Sequence, residues 1–282
     1  MTSARTLIPQ RRRPSGSRRA GAGEPVLLIH PFFLSHHSWR PVIARLSPGH
    51  DVLAVSMPGH YGGPPLSWRA GFGAMVDHLE RQMDEVGWHS AHVVGNSLGG
   101  WAALELARRG RARSVTAIAP AGGYDGLLPR DLAMGMTFMA FATTRYALRV
   151  TTLLPRMPFM HLGMKAVAHD PGRIDPADAR HVVRSAFGAT HPFQVLLACM
   201  RSIPATGLET IEAPVHLVFA GKDLVIPPAL YSSYFVDRIP HAEVTTLEDL
   251  GHCPQVEEPS VVADLIRTTV RKHGVAGLAV AR

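Results

Sequence analysis

The most regular feature of the chain is a series of short apolar runs, each followed by a stretch whose apolar positions have helical spacing. Five runs cover residues 25–30, 51–56, 91–95, 114–119 and 214–220, and a sixth, less apolar run over residues 242–247 is predicted as the last strand. Consecutive Val, Ile and Leu residues without polar alternation are typical of strands buried on both faces. Between two of the runs, Phe72, Met75, Val76, Leu79 and Met83 follow a period near 3.6. This alternation predicts an α/β fold with a mostly parallel sheet that helices cover on both sides.

The alternation stops over residues 124–205, which have a helical pattern interrupted by prolines. We interpret this segment as a helical cap inserted into a core formed by residues 24–123 and 206–282. The segment is rich in Met and Phe, and such adaptable side chains over an active site suit an apolar small-molecule substrate. The residues proposed for that pocket are His30, Phe33, Met134, Phe138 and Met139.

The net charge of +7 is concentrated at the start of the chain. Six arginines precede the first acidic residue, Glu24, so that removal of this segment would leave a net charge of +1. Residues 1–23 are therefore predicted to be a basic, flexible tail, and a nucleic-acid partner is not expected. Two cysteines form no disulfide framework, and no apolar run has the length of a membrane span. These features favour a cytoplasmic protein.

The run that ends at Gly95 leads into the sequence Gly95-Asn96-Ser97-Leu98-Gly99 and then into a helical stretch. A sharp turn between a strand and a helix needs glycines because side chains there would collide with neighbouring backbone. A serine hydroxyl at such a turn needs a base and a carboxylate to become a nucleophile. Asp223 and His252 follow two later apolar runs. Since the carboxyl ends of parallel strands lie at one edge of a sheet, these residues are expected near Ser97.

On these residues the chain resembles the serine-type α/β-hydrolases that carry a helical cap. The resemblance rests on Gly95–Gly99, on Asp223 with Pro227, and on Gly251–Pro259, and it covers about residues 24–123 and 210–272. It implies that Ser97 is the nucleophile, His252 the general base and Asp223 the carboxylate that orients it. Asp125 is the reserve for the acid, because some family members place it there.

The resemblance also implies an oxyanion hole made of two backbone N–H groups, from Leu98 and Phe32. The family usually has glycine where this chain has Pro31, and proline has no N–H. Phe32 occupies the usual donor position, and Phe33 is the second choice.

The expected activity is hydrolysis of a carboxylic ester, lactone or thioester through an acyl-serine. A serine at the turn argues against epoxide hydrolases, which use an aspartate there. Carbon–carbon bond hydrolysis of a vinylogous diketone is an alternative that Asn96 and Gly100 favour and Cys253 disfavours. Acyl transfer or cyclisation would use the same acyl-serine, and a hydrolase scaffold can also bind a ligand without catalysis. The sixteen histidines are scattered and lack metal-site spacing, so no metal or other cofactor is expected.

Overall fold

The protein is described by a computed structural model, which covers residues 16–124 and 164–274. Its sheet has seven strands in the order β1-β3-β2-β4-β5-β6-β7. The strands are β1 (Ser17–Ala20), β2 (Glu24–Ile29), β3 (His50–Val55), β4 (Ala91–Asn96), β5 (Ala112–Ile118), β6 (Val215–Ala220) and β7 (Glu243–Leu247). All neighbouring pairs are parallel except β1 with β3. The predicted α/β class and mostly parallel sheet are confirmed.

Helices connect the parallel strands. They are α1 (Arg40–Leu46), α2 (Phe72–Glu85), α3 (Leu98–Arg108), α4 (Pro176–Gly188), α5 (Pro192–Met200), α6 (Pro228–Arg238), α7 (Pro254–Glu257) and α8 (Pro259–His273). A proline begins five of them, since its fixed φ suits the first helical turn and its missing N–H is not needed there. In the described ranges, none of the helices combines the length and the apolar character needed to cross a bilayer.

Alternate residues of the central strands supply two separate cores. Leu27 and Ile29 of β2 face the core beneath α2 and α3, whereas Val26 and Leu28 face the core beneath α1 and α8. This two-sided burial explains why the strands appear in the sequence as unbroken apolar runs.

The predicted flexible tail of residues 1–23 needs a correction. Ser17–Ala20 forms the edge strand β1, which pairs antiparallel with β3 from Ser17 opposite Val55 to Ala20 opposite Val52. Arg19 also donates hydrogen bonds to the Asp51 carboxylate. Residues 1–15 lie outside the described part of the chain, as do residues 125–163 of the predicted cap.

Candidate active site

The turn at Ser97 has the strained geometry that its glycines were expected to permit. Ser97 joins β4 to α3 with φ 56° and ψ −115°, a conformation that non-glycine residues rarely adopt. A Cβ atom at position 95 would lie 1.9 Å from the carbonyl oxygen of Gly99, and one at position 99 would lie 2.2 Å from that of Ile29. Neither position therefore accepts a side chain. The same close approach places the start of α3 against the end of β2.

Asp223 and His252 form a buried hydrogen-bonded pair at the ends of β6 and β7. His252 Nδ1 lies 2.7 Å from Asp223 Oδ2. The other oxygen, Oδ1, accepts the backbone N–H groups of Val225 and Ile226 at 2.7 and 2.8 Å. Burial raises the pKa of the Asp223 carboxyl, but the His252 ring and these N–H groups outweigh it and bring that pKa below its ordinary value of 3.8. Asp223 is thus a carboxylate at neutral pH.

Asn96 connects the turn at Ser97 to the His252 loop. The sequence alone does not predict this role. Its Nδ2 donates to the carbonyl oxygen of His252 at 2.9 Å, and its Oδ1 accepts from Gln255 Nε2 at 3.0 Å. Both side chains are completely buried. The residue before Ser97 therefore sets the position of the His252 backbone. Within the described residues, the Ser97 hydroxyl makes no hydrogen bond to His252, as is common in ligand-free sites.

A buried carboxylate from Glu257 ties the His252 loop to the predicted cap, near residues 169 and 170. Its Oε2 accepts the N–H groups of Gly251 at 2.8 Å and His169 at 3.0 Å, and its Oε1 accepts that of Asp170 at 2.7 Å. The Cys253 N–H also donates to the carbonyl oxygen of Val167 at 2.8 Å. Residues 167–170 of the predicted cap are therefore packed directly on the loop that carries His252.

The two expected oxyanion donors lie on neighbouring segments. Leu98 is the first residue of α3, so its N–H has no acceptor within the helix. Phe32 lies in a tight turn closed by a hydrogen bond from the Leu34 N–H to the Pro31 carbonyl oxygen, at 3.2 Å. Phe33 completes this turn with φ 65°. The close contact of Gly99 with Ile29 brings the two segments to the same edge of the sheet.

The remaining predicted site residues have different outcomes. His30 is fully buried; its Nδ1 bonds the Pro31 carbonyl oxygen at 2.8 Å and its Nε2 accepts the Met57 N–H at 2.9 Å. Burial lowers its pKa well below 6.5, so that His30 is a neutral part of the loop and leaves no nitrogen for a ligand.

Met134, Phe138, Met139 and the reserve acid Asp125 lie outside the described residues. Among those described, no three potential metal ligands cluster.

Comparison with known proteins places this arrangement in a family. The model described as the alpha/beta hydrolase family matches residues 26–265. Epoxide hydrolase EphH of Mycobacterium tuberculosis is 36% identical over 204 residues, which cover 70% of this chain and 94% of that protein. A pimeloyl-[acyl-carrier protein] methyl ester esterase of Neisseria meningitidis is 30% identical over 273 residues, covering 92% of this chain and 81% of the esterase.

Solved structures agree on the fold. A thermophilic esterase from Thermogutta terrifontis superposes with a TM-score of 0.74 at 21% identity, covering 91% of this chain and 93% of the esterase. The family match spans both parts of the predicted core together with the segment between them. The chain is therefore an enzyme of the α/β-hydrolase family.

Proposed function

We propose that the enzyme is a serine hydrolase that cleaves a carboxylic ester, lactone or thioester of a small, largely apolar molecule. The observation that carries the proposal is the 2.7 Å contact between His252 Nδ1 and the Asp223 carboxylate. With Nδ1–H donated to Asp223, Nε2 of His252 is the nitrogen that carries the lone pair of a general base. Asn96, which joins His252 to the residue preceding Ser97, supports Ser97 as the group that this base serves.

In the proposed reaction, the Ser97 oxygen attacks the carbonyl carbon of the substrate while His252 Nε2 takes the hydroxyl proton. His252 then returns that proton to the leaving alcohol or thiol, and an acyl-serine remains. Water, deprotonated by His252, attacks the acyl group, and the acid and free Ser97 are released. The Asp223 carboxylate stays ionised throughout and stabilises the imidazolium.

The N–H groups of Leu98 and Phe32 are proposed to bind the oxyanion that forms in each step. Leu98 is favoured because it follows the nucleophile and opens a helix, where the dipole also stabilises negative charge. Phe32 is favoured because its turn lies at the end of β2, against which α3 begins. Phe33 remains the second choice for this donor.

An ester-type substrate is preferred over an epoxide, although one relative is named an epoxide hydrolase. An aspartate that opens an epoxide forms an ester, whose carbonyl group water can attack. A serine would form an ether instead, which has no carbonyl group and would block the enzyme. Ser97 occupies the position of the nucleophile, so epoxide turnover by this route is not expected.

Residues 124–205 are proposed to form the cap that selects the substrate. The described part of this segment, residues 164–205, supports the placement. Ala168, Ile174 and Val182 share a small apolar core with Cys253 and Val256 of the His252 loop. Met134, Phe138 and Met139 are proposed to line the substrate pocket, with Phe33 on its opposite wall.

Hydrolysis of p-nitrophenyl esters with increasing acyl chain length tests the proposal. We expect turnover to rise beyond acetate because the cap is apolar, and kcat/KM to fall by about 10³-fold or more in Ser97→Ala. Ser67→Ala, at an exposed serine that Arg69 N–H contacts, is the control and should retain activity.

Three outcomes would overturn the proposal. Full ester turnover in a folded Ser97→Ala variant would exclude the nucleophile. Turnover of an epoxide without turnover of esters would exclude the acyl-serine route. Loss of the dienol absorbance of a vinylogous diketone, again without ester turnover, would establish carbon–carbon bond hydrolysis instead.

A further inference from the structure

A second pocket lies beside the edge strand β1, away from Ser97. It has a volume of about 230 Å³ and is lined by Ser17, Arg18, His36, His37 and Arg40. A water molecule occupies about 30 Å³ in the liquid, so the pocket has room for a tetrahedral oxyanion with several waters. Four of the five lining side chains have cationic or N–H donor groups.

The charges around this pocket are unbalanced. Within the described residues, Arg18 makes no ion pair, and Arg184 lies 5.5 Å from the ring of Tyr61 without a carboxylate. Arg40 Nε donates to Asp178 Oδ1 at 2.8 Å. Of the two arginines that line the pocket, one is thus paired with a carboxylate, and Arg184 adds a further positive charge close enough to act on His37.

Burial, together with neighbouring positive charges, lowers the pKa values of the two lining histidines. Burial, then His37 and Arg18, lower the pKa of His36 to about 3. Burial, then His181 and Arg184, with Arg18 and Arg40, lower the pKa of His37 to about 4. At neutral pH both rings are therefore neutral.

The imidazole rings are oriented before any ligand arrives. Nδ1 of His36 contacts Ser56 Oγ at 2.9 Å, and Nδ1 of His37 contacts Ser35 Oγ at 3.2 Å. His37 is also stacked on His181, with ring centroids 4.9 Å apart. Each ring is thus held through Nδ1. The Ser56 hydroxyl can donate to His36 Nδ1, which leaves an N–H at Nε2 of His36 for a ligand. The Ser35 hydroxyl donates to Ser185, so His37 Nδ1–H donates to Ser35 and His37 offers no further N–H.

We propose that this pocket binds a dianionic phosphoryl group. A phosphoryl monoester carries about −1.5 to −2 charges at neutral pH, which suits a pocket lined by Arg18 and Arg40 with Arg184 nearby, whereas a carboxylate carries only one charge. Planar guanidinium groups and the imidazole N–H of His36 are donors that such oxygens prefer. The contact of His36 with Ser56 places the pocket at the end of β3, two strands from β4 and hence about 10 Å or more from Ser97.

Calorimetric titration of the full chain with inorganic phosphate and with phenyl phosphate tests this site. We expect both to bind and acetate to bind at least about tenfold more weakly, because it has half the charge. Arg18→Gln should weaken phosphate binding about tenfold through loss of a charge-assisted contact. His36→Ala is a second variant that should also weaken phosphate binding, because it removes the imidazole N–H from the pocket. Thermal melting establishes that each variant is folded.

Arg19→Gln is the matched control. It removes the same charge from the next residue of β1, whose side chain pairs with Asp51 outside the pocket. Phosphate affinity should change by less than about twofold in this variant. Tighter binding of phenyl phosphate than of inorganic phosphate would identify an organic phosphomonoester as the occupant, and equal binding would identify free phosphate.

The proposal would be overturned by an absence of phosphate binding to the wild-type protein. Equal losses in Arg18→Gln and Arg19→Gln would also overturn it, since they would reflect net charge alone. So would a loss that occurs only when Arg11, Arg12 and Arg13 are replaced, because that would place the anion on the N-terminal segment.

Discussion

At the scale of single residues, Asp223 illustrates how burial and hydrogen bonding together define a functional group. Its Oδ2 faces the His252 ring and its Oδ1 accepts two backbone N–H groups, so every contact of this buried carboxylate favours the ionised form. An amide at this position would keep the shape of the side chain but would offer an N–H where His252 needs an acceptor.

Asp223→Asn is therefore expected to lower kcat/KM by about 10³- to 10⁴-fold, as loss of the correct histidine tautomer does in serine hydrolases. Ester hydrolysis by the purified variant at neutral pH measures the effect. Asp249→Asn is the matched control, because Asp249 is an exposed carboxylate three residues before His252. A similar loss in both variants would contradict the role given to Asp223.

The sequence alone predicted some contacts of individual site residues but not others. The spacing of Gly95, Ser97 and Gly99 predicted a tight turn, and the two glycines indeed face backbone oxygens. The bridge from Asn96 to the His252 carbonyl oxygen could not be predicted, because it joins residues 156 positions apart and depends on how two loops pack. His30 was predicted to line the pocket because it follows a strand. In the structure, its Nδ1 bonds the Pro31 carbonyl oxygen and its Nε2 accepts the Met57 N–H, so neither nitrogen is left for a substrate.

At the scale of elements, the His252 loop is held by a carboxylate that belongs to α7. Glu257 accepts N–H groups from Gly251, His169 and Asp170, and it is almost fully buried. Its position between α7 and the segment near residue 169 makes it a link between the predicted cap and the loop of the base.

Glu257→Ala is expected to lower the free energy of unfolding by about 1–3 kcal/mol, because the buried N–H of Gly251 and the two partly buried N–H groups of His169 and Asp170 lose their acceptor. Glu257→Gln retains one acceptor oxygen and should cost less. Urea unfolding measures the loss. Glu258→Gln is the control, since the Glu258 carboxylate accepts only the Ser260 hydroxyl within the described residues. A Glu257→Ala variant as stable as the control would contradict the link.

The elements themselves were largely predictable, with one exception. Strands β2 to β6 coincide with the apolar runs because each of them is largely buried on both faces. The edge strand β7, which is mostly exposed, was predicted from its β-branched residues. The strand β1 was missed because Ser17-Arg18-Arg19-Ala20 has no apolar pattern. It is an edge strand that backbone pairing with β3 stabilises, and the sequence carries no signal for such pairing.

At the scale of the whole molecule, the two cores contain or border histidines that fold in the neutral form. His30, His36 and His92 are each less than 5% exposed. Burial is the main cause in each case: it lowers the pKa of His36 to about 3 and of His92 to about 4, and that of His30 well below 6.5. In the unfolded chain these groups titrate near 6.5.

The unfolded state therefore binds more protons than the folded state below pH 6.5, and stability should fall as the pH decreases from 7 to 5. A single histidine of this kind contributes about 2 kcal/mol over that range, so the total loss should be at least of this size. Asp223 does not contribute there, because its depressed pKa matters only below about pH 4.

Urea unfolding at pH 7 and pH 5 measures this loss. His92→Gln should flatten the dependence, and His89→Gln, at an exposed position, is the control. Equal free energies of unfolding at the two pH values would contradict the buried neutral state of these histidines.

The central claim is that Ser97 is the nucleophile of the His252–Asp223 pair. Labelling of the folded enzyme with a fluorophosphonate, followed by mass spectrometry of its peptides, tests it most directly. One phosphonyl group should appear on the peptide that contains Ser97, and labelling should disappear in a folded Ser97→Ala variant. An unlabelled wild-type enzyme, or labelling that persists in Ser97→Ala, would contradict the claim.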